Sequence, residues 1–176
     1  MIGFSEGSIA QSSCGVALAA AVGYGFFSSL GHMPGGSGAS LAESKQNVVS
    51  YSTEDKAMQA AKDSGRSTLK RFHELMDAGT PGTYTVKFPL TQNGATEHIW
   101  LQLVGYSDGS YIGLLADVPV NGNKYKMGDR MTVTEADVED WMIKNGKVIY
   151  GGYTTRQALA DMPKEQVARY GLTFKD

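Results

Sequence analysis

The chain has 176 residues, with 16 lysines and arginines against 18 aspartates and glutamates, a formal net charge of −2 and one cysteine, Cys14. That length suits one compact domain plus an appendage. Near-neutral charge excludes a polybasic nucleic-acid binder and a disordered acidic tail, and a single cysteine excludes a disulfide scaffold or a cysteine-built zinc site.

No Asp, Glu, Lys or Arg falls between Glu6 and Glu43, and residues 14–30 form an apolar run (CGVALAAAVGYGFFSSL). As a helix this run would rise roughly 25 Å, the short edge of a bilayer span. Gly15, Ala19 and Gly23 share the four-residue spacing on which membrane helices pack closely. Three readings stay open for it: a membrane anchor, a secretory signal peptide ending near residue 31, or a buried helix of the globular part. The signal reading lacks the usual basic start, since Met1 to Ser13 contains no Lys or Arg. The expected organisation is an N-terminal flank at 1–13, the apolar segment at 14–30, a Gly/Ser-rich linker at 31–47 and one α+β domain at 48–176.

Ser52-Thr-Glu-Asp55 reads as a helix start. Met58, Ala61, Gly65, Leu69, Phe72, Leu75 and Met76 then recur at spacings of three and four. They predict one amphipathic helix over 53–77, with Lys62, Arg66, Lys70 and Arg71 on its solvated side. His73 also falls on the polar side.

Beyond Pro81 the period changes to two. Tyr84, Val86, Phe88 and Leu90 alternate with polar residues, and Asn93-Gly94, Asp108-Gly109, Asn121-Gly122 and Asn145-Gly146 are hairpin-turn signals. Segments 97–106, 110–118 and 130–134 read as meander strands. Thr134-Glu-Ala-Asp137 predicts a short helix presenting Val138, Trp141 and Met142, followed by a last strand at 147–153. Short helices open at Thr154 and run from Pro163 to Tyr170, stopped by Gly171. The fold expectation is therefore α+β, a long helix packed on a curled antiparallel sheet of about five strands, with short C-terminal helices.

The usual nucleophile, metal and phosphate-loop motifs are absent from the sequence, and His32, His73 and His98 share no metal-ligand spacing. No cofactor or metal is expected. Four residues stand out as a candidate binding set. On a strand, His98 and Trp100 face one way with Gln102, while Ile99, Leu101 and Leu103 face the core. Asp140 precedes a buried-looking Trp141. Arg156 follows the pair Gly151-Gly152, where glycine permits positive φ or close backbone approach, and it can grip a carboxylate in a ligand or in an internal bridge to Asp140 or Glu97. We expect His98, Trp100, Asp140 and Arg156 to converge, because half-buried polar groups need partners.

These same residues carry a resemblance. Glu97-His98-Ile99-Trp100, then Gly128-Asp129, then Asp140-Trp141-Met142, then Gly151-Gly152-Tyr153-Thr154-x-Arg156 resemble the YegJ-like family of bacterial domains of unknown function. Thr68-Leu69-x-x-Phe72 and Tyr84-Thr-Val-Lys-Phe88 fit the same pattern, in order, over roughly residues 50–160. The resemblance implies a bacterial source, export signals in some members and no catalytic residue to carry over. The leading expectation is a non-enzymatic binding or interaction domain tethered to the bacterial envelope membrane through residues 14–30, or exported if residues 1–31 are a signal peptide. A protein partner of unknown identity is compatible with it, and nucleic acid is not. The alternatives are a small hydrolase or isomerase-type enzyme using His98 with Asp140 or Glu97, and a structural or stress-related envelope protein without a ligand.

Overall fold

The computed structural model describes residues 55–176, together with two short strands, β1 (Ala17–Leu18) and β2 (Val49–Ser50), which pair antiparallel. Apart from β1, the expected anchor or signal segment at 14–30 lies outside the described residues, and so does the linker at 31–47. Among the described residues, no helix is long and apolar enough to cross a membrane.

Two helices lead the domain, α1 (Lys56–Ser67) and α2 (Leu69–Asp77). Asp55 caps α1, its carboxylate accepting the Met58 N–H at 3.0 Å. The single helix expected over 53–77 is broken at Thr68, whose φ of −103° and ψ of 9° leave the helical region. The Thr68 hydroxyl donates to the Ser64 carbonyl at 2.7 Å and accepts the Trp141 indole N–H at 2.9 Å. A tertiary hydrogen bond therefore holds the break in place.

Five strands follow in order: β3 (Thr83–Gln92), β4 (Ala95–Ser107), β5 (Ser110–Leu115), β6 (Arg130–Thr134) and β7 (Asp140–Asn145). Then come β8 (Val148–Gly151), α3 (Tyr153–Ala160), α4 (Lys164–Tyr170) and β9 (Thr173–Lys175). The main sheet has seven strands in the order β6-β5-β4-β3-β7-β8-β9. All pairs are antiparallel except β8 with β9. The α+β class is as expected, and the sheet exceeds the expected five strands for identifiable reasons. Residues 140–145 form a strand where helix was expected beyond Asp137, because only a single 3-10 turn, Glu135–Asp137, precedes them. Pairing with β3 satisfies the backbone of this segment and overrides its helical spacing.

Three hairpin turns sit where the Asn-Gly and Asp-Gly pairs predict. Asn93 and Gly94 have φ of 50° and 77°, Asp108 and Gly109 have 51° and 71°, and Gly146 has 59°. Asn121-Gly122 makes no hairpin; it lies in the long β5–β6 loop, residues 116–129.

The register divides the sheet into two unlike faces. Val86 lies opposite both Leu101 and Trp141, and Phe88 opposite Ile99, so these side chains share one face. This apolar face and α2 enclose the core of Phe72, Leu75, Val86, Phe88, Ile99, Leu101, Tyr111, Leu115 and Trp141. Phe72 stacks on Trp141 with centroids 5.0 Å apart. His73, expected on the polar side, lies over the rim of this face with Nε2 2.9 Å from the Tyr111 hydroxyl. Lys87 lies opposite both Trp100 and Asp140, and Pro89 opposite His98, so these residues occupy the other face. α1 and α3 lie alongside each other and serve that side.

Candidate functional site

The polar face is built from three central strands and closed by α1 and α3. Gly65 permits the closure: a Cβ there would come within 2.6 Å of the Glu139 carbonyl oxygen and 2.8 Å of the Asp140 Cα. With α1 this close, Lys62 has nowhere to go but inward. Its ammonium donates to Glu139 Oε1 at 3.2 Å and lies 3.2 Å and 3.3 Å from the two ring nitrogens of His98. His98 Nδ1 faces Glu139 Oε2 at 2.5 Å, and Arg66 reaches Glu139 Oε1 at 3.5 Å. One buried carboxylate thus gathers three basic side chains. Burial alone pushes the Glu139 carboxyl up, but the His98 hydrogen bond, with the charges of His98 and Lys62, more than reverses this and holds it below the ordinary value.

Beside this group stands a second. Asp140 is fully buried, and its oxygens accept the Trp141, Tyr153 and Thr154 backbone N–H groups at 2.8, 3.2 and 2.7 Å, plus the Thr154 hydroxyl at 2.7 Å. Asp140 therefore ties β7 to the first turn of α3, where a carboxylate suits the exposed N–H groups. Burial still raises its pKa, against those hydrogen bonds and the Lys87 charge. Lys87, also fully buried, sits between the groups, its ammonium 3.4 Å from Thr154 Oγ1 and 5.3 Å from the Trp100 ring centroid. Burial lowers its pKa to about 8 despite attraction to Asp140, Glu139 and Asp117. Asp117 accepts the Trp100 N–H at 3.2 Å and is pushed up by burial to about 6.

This lysine makes a measurable signature. Folded Lys87 releases its proton near pH 8, whereas a free lysine side chain holds it to 10.5. Between those values the unfolded chain carries the extra proton, so raising the pH favours the fold. Urea unfolding of the natural chain and of Lys87→Met at pH 7.5 and 9.5 reads this directly. The natural chain should gain up to about 2 kcal/mol relative to the variant over that interval. A difference that stays flat would mean that Lys87 reaches water.

Three of the four expected site residues are thus on one face: His98 contacts the Glu139 group, and Trp100 and Asp140 flank Lys87. Arg156 is not with them. Its Nε donates to the Gly151 carbonyl at 3.0 Å, and its terminal nitrogens reach the Lys175 carbonyl at 2.7 Å and Asp176 at 2.8 Å. With its guanidinium 5.0 Å from the Tyr153 ring and 5.1 Å from Phe174, it fastens β9 to α3. Its acidic partner is Asp176, neither Asp140 nor Glu97. The glycine pair before it behaves as its composition suggests, with φ of 68° at Gly151 and 67° at Gly152. A Cβ on Gly151 would lie 2.5 Å from the Trp141 carbonyl oxygen.

Glu97 does not orient His98 either, because neighbours on a strand point to opposite faces. Its buried carboxylate instead accepts the N–H groups of Val120 and Asn121 at 2.9 Å each. The carboxylate that meets His98 is Glu139. Sequence reasoning missed Lys62, Lys87, Glu139 and Thr154. Lys62 carried a legible signal, since Met58, Lys62, Gly65 and Leu69 themselves step by four, three and four; the structure buries Lys62 where a solvated face was expected. Lys87 stands between two core-facing residues of β3, which a period-two pattern assigns to water. Among the described residues no group of three or more His, Cys, Asp or Glu side chains is placed to hold a metal ion. Chemically, the arrangement is an internal network of paired charges in which donors and acceptors largely satisfy one another.

Comparison with known proteins gives the same span. Residues 55–174 match the family described as "Uncharacterized protein conserved in bacteria (DUF2314)". The chain is 34% identical over 128 residues to "Uncharacterized protein YegJ" of Escherichia coli (strain K12), covering 73% of this chain and 84% of that protein. It is 32% identical over 100 residues to the "Putative ankyrin repeat protein NMB1133/NMB1171" of Neisseria meningitidis serogroup B, covering 52% of this chain and 39% of that one. No solved structure matches. The matched span runs from the cap of α1 to β9 and so contains the whole charged network. This chain belongs to that YegJ-like family of uncharacterised bacterial proteins.

Proposed function

We propose that the chain is a non-enzymatic interaction module held at a bacterial membrane by residues 14–30. The observation that carries this reading is the division of its chemistry. The groups capable of acid–base work are sequestered, with His98 8%, Glu139 6%, and Lys87 and Asp140 0% exposed, and they are engaged with one another. A general base must come within hydrogen-bond reach of a substrate proton, which burial of this kind opposes. Large apolar side chains stand in water instead, Val104, Val118, Val120 and Met127 each at least 44% exposed. The likeness to a longer protein named for ankyrin repeats, of which the chain covers 39%, is in keeping with a module combined with other segments. The charge-free stretch between Glu6 and Glu43 supports the tether, which requires Ala17 and Leu18 to leave their pairing with β2 when the segment enters the bilayer.

Fractionation of bacteria expressing the full chain tests it. The protein should sediment with membranes, resist high salt and be released by detergent, and Ala20→Arg with Val22→Arg should move it to the soluble fraction. A soluble product shortened near residue 31 would replace the anchor by an export signal. A soluble product of unprocessed mass would sink both.

A further inference from the structure

We propose that the β5–β6 loop, residues 116–129, is a membrane-contact element that lays Val118, Val120 and Met127 into the interface of an anionic phospholipid bilayer. This deepens the membrane reading above by naming a second contact, and it stands on observations of its own.

The first is that the loop is held rigid from beneath while its tips are apolar. Buried Glu97 accepts the Val120 and Asn121 N–H groups, and buried Asp117 accepts the Trp100 N–H. Asn93 donates to the Asn121 carbonyl at 2.9 Å. Gly122 seats so closely on Gln92 that a Cβ would fall 2.8 Å from its Oε1. At the far end Gly128 donates to the Leu115 carbonyl at 2.8 Å, and Asp129 to the Lys126 carbonyl at 3.1 Å. A slack loop could fold its apolar side chains inward. This one is fixed with Val118 44%, Val120 50% and Met127 58% exposed.

The second observation is charge. Lys124, Lys126 and Arg130 are exposed and flank Met127 in the chain. The loop's aspartates are turned to backbone, Asp117 to the Trp100 N–H and Asp129 to the Lys126 N–H at 3.0 Å, and they keep their negative charge. Residues 116–130 thus carry a net +1, and the exposed charged side chains among them are the three cations, with Asp117 buried and Asp129 half-buried. Apolar tips within a cationic collar complement a lipid surface with negative headgroups. The third observation separates lipid from protein as occupant. A specific protein interface needs directional hydrogen bonds at roughly one per 100–200 Å². The N–H groups of Val120, Asn121, Lys126, Gly128 and Asp129 already have partners inside the protein, which takes five directional donors away from any protein partner. A fluid interface asks for no such donors.

The experiment uses the full chain carrying Cys14→Ser and Met127→Cys, labelled at position 127 with an environment-sensitive fluorophore, and a control labelled through Lys164→Cys on α4. Vesicles of phosphatidylcholine alone are compared with vesicles containing about one-third phosphatidylglycerol. The label at position 127 should shift to the blue on the anionic vesicles while that at 164 stays in water. Lys124→Glu with Lys126→Glu should weaken the response roughly tenfold at low salt, with an unchanged unfolding midpoint. If the protein sediments with vesicles but the label at 127 remains in water, the tether stands and this proposal falls. If Ala20→Arg with Val22→Arg abolishes stable sedimentation but the label still shifts on anionic vesicles, the loop contact stands by itself. A label that ignores both vesicles and shifts only with an acidic polypeptide would overturn the lipid assignment in favour of an acidic protein partner.

Discussion

Replacing Phe72 by alanine should remove about 3–5 kcal/mol of stability. Phe72 is 0% exposed and lies where α2 meets the apolar face. Its ring stacks on Trp141 at 5.0 Å and meets Tyr84 and Tyr111 at 6.1 Å each. Truncation removes the transfer energy of a whole aromatic ring and leaves a cavity, since neighbours drawn from α2, β3, β5 and β7 cannot all collapse into it. The rigid surroundings favour the upper part of the range. Trp141 is tethered by its indole N–H to Thr68 and pressed by Gly151, so it has no freedom to follow. Urea unfolding of the two chains at neutral pH measures the difference. A loss under roughly 1 kcal/mol would detach α2 from the core and contradict the architecture.

Glu139→Gln should cost as much, about 3–5 kcal/mol, by a different mechanism. Glutamine keeps the volume and removes the charge that Lys62, Arg66 and His98 share. The Lys62 ammonium, whose side chain is 6% exposed, would then stay buried without its anion. The pair itself adds little net stability, because desolvating two ions offsets most of their attraction; the loss comes from stranding one of them. A double-mutant cycle separates the two ideas. Adding Lys62→Met to Glu139→Gln should restore a large part of the loss, so that the double variant is more stable than the sum of the singles requires. Additive losses would mean that the ammonium finds water once Glu139 is neutral, and that α1 packs more loosely than Gly65 implies.

The two predictions divide along the same line as the legibility of the sequence. Phe72 was readable because its apolar neighbours on α2 repeat at helical spacing, and the alternation of β3 and β4 put Val86, Phe88, Ile99 and Leu101 on the core side. The Asn-Gly and Asp-Gly turns were readable because positive φ is a local requirement with few residues to meet it. The opposite face of β4 was readable as to direction, so His98 and Trp100 were correctly placed together. What they face was not. Glu139 lies 41 residues from His98, and Lys62 lies 36 residues before it. Arg156 was grouped with them because half-buried polar groups need partners, and the parallel addition of β9 drew it to Asp176 instead.

By itself the sequence determined the α+β class, three of the hairpins, the core stripe of α2 and the two-sidedness of β4, along with membership of a bacterial family over residues 55–174. Each of these follows from interactions between residues close in the chain or from a repeating period. Only the tertiary structure decided that residues 140–145 are a strand, that the leading helix breaks at Thr68, and that Lys87 and Glu139 are buried. A strand gains its hydrogen bonds from a partner, here β3, and a helix break needs the indole of Trp141 to hold it. A lysine can be buried where carboxylates wait for it, and those carboxylates come from segments that chain order keeps far apart.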